Sequence, residues 1–117
     1  MEGMNVPAAP DSNVDRQLPP PALACLERLA PRYIWWKSAE EAMLFPDRVA
    51  AQVMNIGDWN DVVDMVEAVG EDYLRTVLRH AEAGQLNERS WHFWHYRLGL
   101  AEYGVRPVPP MPVRKFA

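Results

Sequence analysis

The residues able to do chemistry are few. His92 and His95 stand three apart in "SWHFWHYRLGL" (Ser90–Leu100), and His80 lies upstream. Two ligands at i, i+3 can share one helical face, so a metal ion could meet both. A site needs further ligands. Cys25, the single cysteine, is far off in sequence, and the chain has no HExxH or paired-cysteine motif. The pattern predicts no metal, with His95 hydrogen-bonded at the core edge and His92 facing solvent. Nucleophilic catalysis needs a serine or cysteine beside a base. Ser90 is near both histidines, but its place in a first helical turn suits support of a cap. Cys25 sits on an apolar helix face and reads as a small core residue. No glycine-rich phosphate loop is present, because Gly57, Gly70 and Gly84 fall where helices should end. The expectation is a chain that is not an enzyme and carries no cofactor.

The elements that must position these residues are helical. "PALACLERLAP" brings Leu23, Leu26 and Leu29 together between prolines and predicts a helix over 22–29, stopped before Pro31. Ser38 three residues before Glu41 is a capping-box spacing and predicts a helix over 39–44. Pro46 starts a helix over 46–55. Asp58 caps the next, 59–69, whose Val62, Met65, Val66 and Val69 form an i, i+3, i+4, i+7 stripe. Helices over 71–82 and 88–99 follow, the last capped by Asn87 and stapled by Leu86 and Trp91. "IWW" (Ile34–Trp36) lacks a second strand to pair with and is expected to be a connector whose aromatics pack on the helices. The fold class is therefore all-α, a compact bundle of five to six short helices. Residues 1–20 are expected to form a flexible Pro-rich arm, 21–103 the helical domain and 104–117 a Pro-rich basic tail. Its proline density favours polyproline II. The predicted core is Val53, Val62, Val66, Leu74, Leu78, Trp91, Trp94 and Leu98.

The 117 residues suffice for one domain, and five tryptophans give a short chain a large apolar area to bury. No apolar run could span a bilayer, and the N-terminus lacks a secretory pattern. A lone cysteine suits a reducing compartment, so a cytoplasmic location is expected. The net charge of −4 argues against a general nucleic-acid binder.

Charge is unevenly distributed. From Gln52 to Leu74 there are six acids (Asp58, Asp61, Asp64, Glu67, Glu71 and Asp72) and no Lys or Arg. Asp61, Asp64 and Glu67 are read as an outer stripe opposite the valines. That stripe is either a solvated helix face or a patch for a basic partner. Arg106, Arg114 and Lys115 give the Pro-rich tail the opposite character. Trp36 in the connector is a further candidate contact.

Three blocks carry a resemblance over about Tyr33 to Leu100: "YIWW", then "RVAAQVMNIGDWNDVVDMVEAVGEDYLRTVL", then "LNERSWHFWHYRLGL". Together they resemble a small helical bacterial domain of unknown function whose genes neighbour abortive-infection nucleotidyltransferase toxins of the AbiEii type. The chain differs in its Pro-rich arms and heavier tryptophan content. The family offers no catalytic motif. The resemblance implies an antitoxin-like accessory partner of a nucleotidyltransferase.

The leading expectation is a protein-interaction module that binds and occludes a protein partner, a nucleotidyltransferase toxin being the one implied by the resemblance. Asp61, Asp64, Glu67, Trp36, Arg106 and Arg114 are its candidate contacts, and self-association into a homo-oligomer is compatible with it. The alternative is a DNA-binding autoregulator, with "VAAQVMNIGDWNDVVDMV" read as helix-turn-helix. It is the weaker reading: a recognition helix reaches bases with Arg, Lys, Asn or Gln, these positions hold Asp58, Asn60, Asp61 and Asp64, and three carboxylates facing phosphate would be repelled. An enzyme built on His92 and His95 ranks last.

Overall fold

A computed structural model of the chain describes residues 18–114. Six helices follow in order: α1 (Pro20–Tyr33), α2 (Ala39–Ala42), α3 (Pro46–Ile56), α4 (Trp59–Val69), α5 (Glu71–Arg79) and α6 (Glu88–Arg97). The fold is all-α. The only extended pairing among the described residues is an isolated antiparallel bridge between Glu102 and Arg106. No described helix is long and apolar enough to cross a membrane.

The starts are set by side chains that take orphan N–H groups. Ser38 and Glu41 form the reciprocal capping box. The Asp58 carboxylate accepts from the Asp61 N–H at 3.0 Å, and the Asn87 side chain accepts from the Ser90 N–H at 2.8 Å. Such caps contribute about 1 kcal/mol each. Pro20 and Pro46 open α1 and α3, where a missing N–H costs nothing. At the end of α6, Leu100 N–H reaches the His95 carbonyl and Gly99 N–H the Tyr96 carbonyl, with Gly99 at φ 75°. This is a Schellman stop, and it needs the left-handed conformation that glycine adopts without strain.

Two helix ends differ clearly from the sequence pattern. α1 does not stop before Pro31 but runs through it to Tyr33. A proline in the last turn removes one N–H donor while later bonds still form, and Ile34 N–H reaches the Ala30 carbonyl at 2.7 Å. α5 stops at Arg79, where His80 N–H turns to the Thr76 and Val77 carbonyls.

α1 packs against α3 and α4, and α3 also meets α5 and α6. Leu26, Val49, Val53, Leu74, Leu78, Trp94 and Leu98 are at most 2% exposed and fill the space between them. Seven of the eight predicted core residues are buried; Val66 is only half-buried at the core's edge. Cys25 is buried, and burial pushes its thiol up, so it stays protonated and behaves as a core group.

The connector departs from expectation. Ile34 enters the core, but Trp35 and Trp36 stand in solvent, edge to face with each other at 5.3 Å between ring centroids. At the other end, a turn at Gly104 (φ 78°) and the Glu102–Arg106 bridge send the Pro-rich segment back onto the domain, with Val108 and Met111 against the core. The expected arm over 1–20 falls mostly outside the described residues. Leu18 packs on the core and α1 already begins at Pro20. Lys115 also lies outside them.

Candidate interaction face

The acidic window is not the open stripe that its spacing predicts. Asp61 is 6% exposed and faces α1. Its carboxylate accepts the Tyr33 hydroxyl at 2.6 Å and pairs with Arg32 at 3.3 Å. The same Arg32 reaches Asp58 at 3.0 Å, and Tyr33 Oη accepts the Asp58 N–H at 3.1 Å. One turn on, Arg28 pairs with Asp64 at 3.5 Å. Glu71 takes Arg75 at 3.1 Å and Arg97 at 2.8 Å, and Asp72 takes Arg75 at 2.7 Å. The window lacks bases in sequence, but α1, α6 and Arg75 just beyond its end on α5 supply them in space. Of the three stripe residues, Glu67 alone has no ion pair among the described residues.

The histidines diverge. His95 is buried, its ring 4.3 Å from Trp91 and its Nδ1 at 2.8 Å from the Trp91 carbonyl. His92 and His80 are exposed, each with Nδ1 on the carbonyl four residues back. Among the described residues, no group of three or more His, Cys, Asp or Glu is placed to hold a metal ion. The Ser90 hydroxyl donates to the Asn55 carbonyl at 3.0 Å rather than standing beside a base.

What the fold does expose is aromatic. Trp36 is 55% exposed at the edge of a groove of about 380 Å³, which Phe45, Arg48 and Glu82 also line. There the Arg48 guanidinium lies 4.6 Å from the Phe45 ring centroid and pairs with Glu82 at 3.3 Å.

A second groove, of about 420 Å³, lies between the α3–α4 corner and α6. Its rim is Ile56 (57% exposed), Trp59 (66%) and Phe93 (44%), with Arg89 beside them. Its floor is Met54, Val62 and Trp94, all buried. The floor is fixed by hydrogen bonds: Trp94 Nε1–H donates to the Met54 carbonyl at 2.8 Å, and the Asn87 N–H donates to the Asn55 side chain at 2.9 Å. Gly57 makes the corner. A Cβ there would lie 2.5 Å from the Val53 carbonyl oxygen and 2.9 Å from Val53 Cγ1. Glycine is required by space, at an ordinary negative φ, and its closeness lets Ile56 and Trp59 flank one turn. Arg89 has no ion pair among the described residues.

The sequence reading selected Trp36 and missed Trp59, Ile56 and Phe93. No local signal marked Trp59: it stands three residues before Val62 and seven before Val66, the spacing of the buried stripe, yet it is 66% exposed at the start of α4. Arg106 is tied to the domain by its backbone bridge, with its guanidinium at 3.5 Å from the Gly99 carbonyl, and Arg114 is exposed. Neither of them lines either groove. No family model matches the chain, and no curated protein or solved structure matches it.

Proposed function

We propose that this chain is a non-enzymatic protein-interaction module and that its contact face is the groove of Ile56, Trp59 and Phe93, with Arg89 at the rim. One observation carries the reading: three large apolar side chains stand exposed around a single groove whose floor is buried and hydrogen-bonded. Isolated exposed apolar residues need no explanation, whereas a contiguous set on a fixed floor is what a binding partner desolvates. Trp and Arg are the residue types that most often anchor interfaces. A floor held by hydrogen bonds needs little ordering on association, which lowers the cost of binding. Arg89 favours a partner segment that brings a carboxylate alongside its apolar anchors.

This places the contact away from the acidic stripe. Asp61 is committed to Tyr33 and Arg32, and Asp64 to Arg28, so long-range attraction of a basic partner is weakened by the neighbouring arginines. The narrower reading is the antitoxin-like one, in which the partner is a nucleotidyltransferase toxin. It rests on the "YIWW", "RVAAQVMNIGDW…" and "LNERSWHFWHYRLGL" resemblance alone.

The test is co-expression of the full chain with the product of the gene beside its own, comparing wild type with Trp59→Ala/Phe93→Ala. The reading expects co-purification with wild type and its loss in the double variant, with the melting transition retained. Undiminished co-purification of the double variant would refute the groove as the contact.

A further inference from the structure

The segment Arg106–Pro112 reads Arg-Pro-Val-Pro-Pro-Met-Pro. Its prolines fix φ and remove backbone donors, which favours polyproline II, with three residues per turn. Residues three apart then share an edge. Val108 and Met111 make one edge, Pro109 and Pro112 a second, Pro107 and Pro110 the third.

The burial follows this threefold rule on two of the three edges. Val108, Met111 and Pro112 are half-buried on the domain, while Pro107 and Pro110 are exposed. The Pro109 ring is exposed, but its carbonyl accepts the Trp91 indole N–H at 2.8 Å. The Val108–Met111 edge and Pro112 thus lie along the domain, with Pro107 and Pro110 facing outward and Pro109 held through its carbonyl. An indole N–H donating to a proline carbonyl beside an apolar floor is how an aromatic groove reads a polyproline ligand. The Trp91 ring packs against His95, whose imidazole lies tilted at 4.3 Å from it and bonds to the Trp91 carbonyl.

The hold on this segment is slight. Beyond Arg106, its one hydrogen bond to the domain among the described residues is the one from Trp91. The Gly104 turn and the Glu102–Arg106 bridge act as the pivot that delivers it. A short pivot keeps the local concentration of such a segment high, so modest contacts suffice to keep it seated.

We propose that the Trp91 surface is a polyproline-binding site, occupied in cis by the chain's own Val108–Pro112, and that a partner's segment with the same apolar-Pro-x-apolar-Pro spacing takes its place. The seated segment defines the ligand chemistry: two apolar-Pro pairs and a carbonyl aimed at the indole. This inference is independent of the groove at Trp59.

The experiment uses the full chain and a fluorescent synthetic peptide of residues 104–114 as the probe. Val108→Asp/Met111→Asp unseats the cis segment, and this variant should bind the peptide. Wild type should bind at least about tenfold more weakly, because a tethered segment at ~1 mM effective concentration competes for the site. Adding Trp91→Phe to the unseated variant should lower peptide affinity by about three- to tenfold, the worth of one neutral hydrogen bond. A scrambled peptide of the same composition should not bind. Should the unseated variant fail to fold, the Val108 and Met111 methyl resonances of isotope-labelled wild type are followed as unlabelled peptide is added to millimolar concentration, and they should move towards the positions of a free segment as the peptide displaces it. A folded, unseated variant that ignores the peptide, equal binding of the scrambled peptide, or unmoved Val108 and Met111 resonances would overturn the proposal.

Discussion

Tyr33 and Asp61 lie 28 positions apart and meet at 2.6 Å, hydroxyl to carboxylate, where the end of α1 crosses the start of α4. The contact joins the last residue of α1, beyond Pro31, to a buried Asp61 that its spacing places in an outer acidic stripe. Tyr33 also receives the Asp58 N–H, so one phenol serves two groups at the α4 N-terminus.

Tyr33→Phe keeps the ring and removes the hydroxyl. Asp61 then retains Arg32 alone, and the Asp58 N–H loses its acceptor, so the variant should be less stable by about 1–3 kcal/mol. The phenol is raised above its ordinary value of 10.0, first by burial and then by its hydrogen bond to Asp61. A raised value means that the folded state holds the proton more tightly than the unfolded state. The stabilisation is full below about pH 10 and is lost as pH climbs through the folded value. Urea unfolding at a series of alkaline pH values should therefore show a steeper fall for wild type than for Tyr33→Phe.

Glu71 shows the opposite sign. Its hydrogen bond to Arg97, then the charges of Arg97 and Arg75, hold its carboxyl below the ordinary 4.5. The folded state there binds its proton less tightly, so the stabilisation is present above about pH 4.5 and is lost as pH falls through the folded value. Glu71→Gln should shift urea midpoints near neutrality slightly and flatten the acid limb. A variant with the same acid slope as wild type would show that these exposed pairs contribute nothing.

Gly57→Ala tests the corner of the groove. A methyl group would sit against the Val53 carbonyl oxygen, and backbone yields less readily than a side chain. Overpacking of this kind costs about 1–3 kcal/mol. Thermal unfolding should show the loss, and an unchanged melting temperature would mean that α3 and α4 can separate freely at this junction.

Trp94→Ala removes a ring that is 2% exposed and an indole N–H bonded to the Met54 carbonyl. The expected cost is about 3–5 kcal/mol, as for other large core truncations. A melting transition close to wild type would contradict its placement under the groove floor.

The helices were legible because caps and apolar periods are local. α4 matches its predicted span because Asp58 and Gly70 mark both ends. The face of Asp61 was partly legible too. It lies four residues before Met65, which shares its helical face and is fully buried, but attention to the valines placed it outside. Its partner Tyr33 could not be read, because that pairing depends on how α1 crosses α4. The same holds for the bases that neutralise the acidic window: Arg28 and Arg32 are distant in sequence. Exposure of the aromatics was not legible either. Trp91 and Trp94 differ from Trp35, Trp36 and Trp59 only in which way each helix or connector turns after assembly.

The central claim is that binding runs through the groove at Trp59 rather than through the acids of α4. The direct measurement is the dissociation constant of the full chain for its co-purified partner, comparing Trp59→Ala with Asp64→Lys/Glu67→Lys at low and high salt. Truncating an interface anchor costs about 2 kcal/mol or more, a loss of about thirtyfold or more. Exposed charges contribute little. The account predicts that large loss for Trp59→Ala, with little change and little salt dependence for the double Lys variant. A double Lys variant that loses affinity steeply at low salt, beside a Trp59→Ala that binds like wild type, would contradict it.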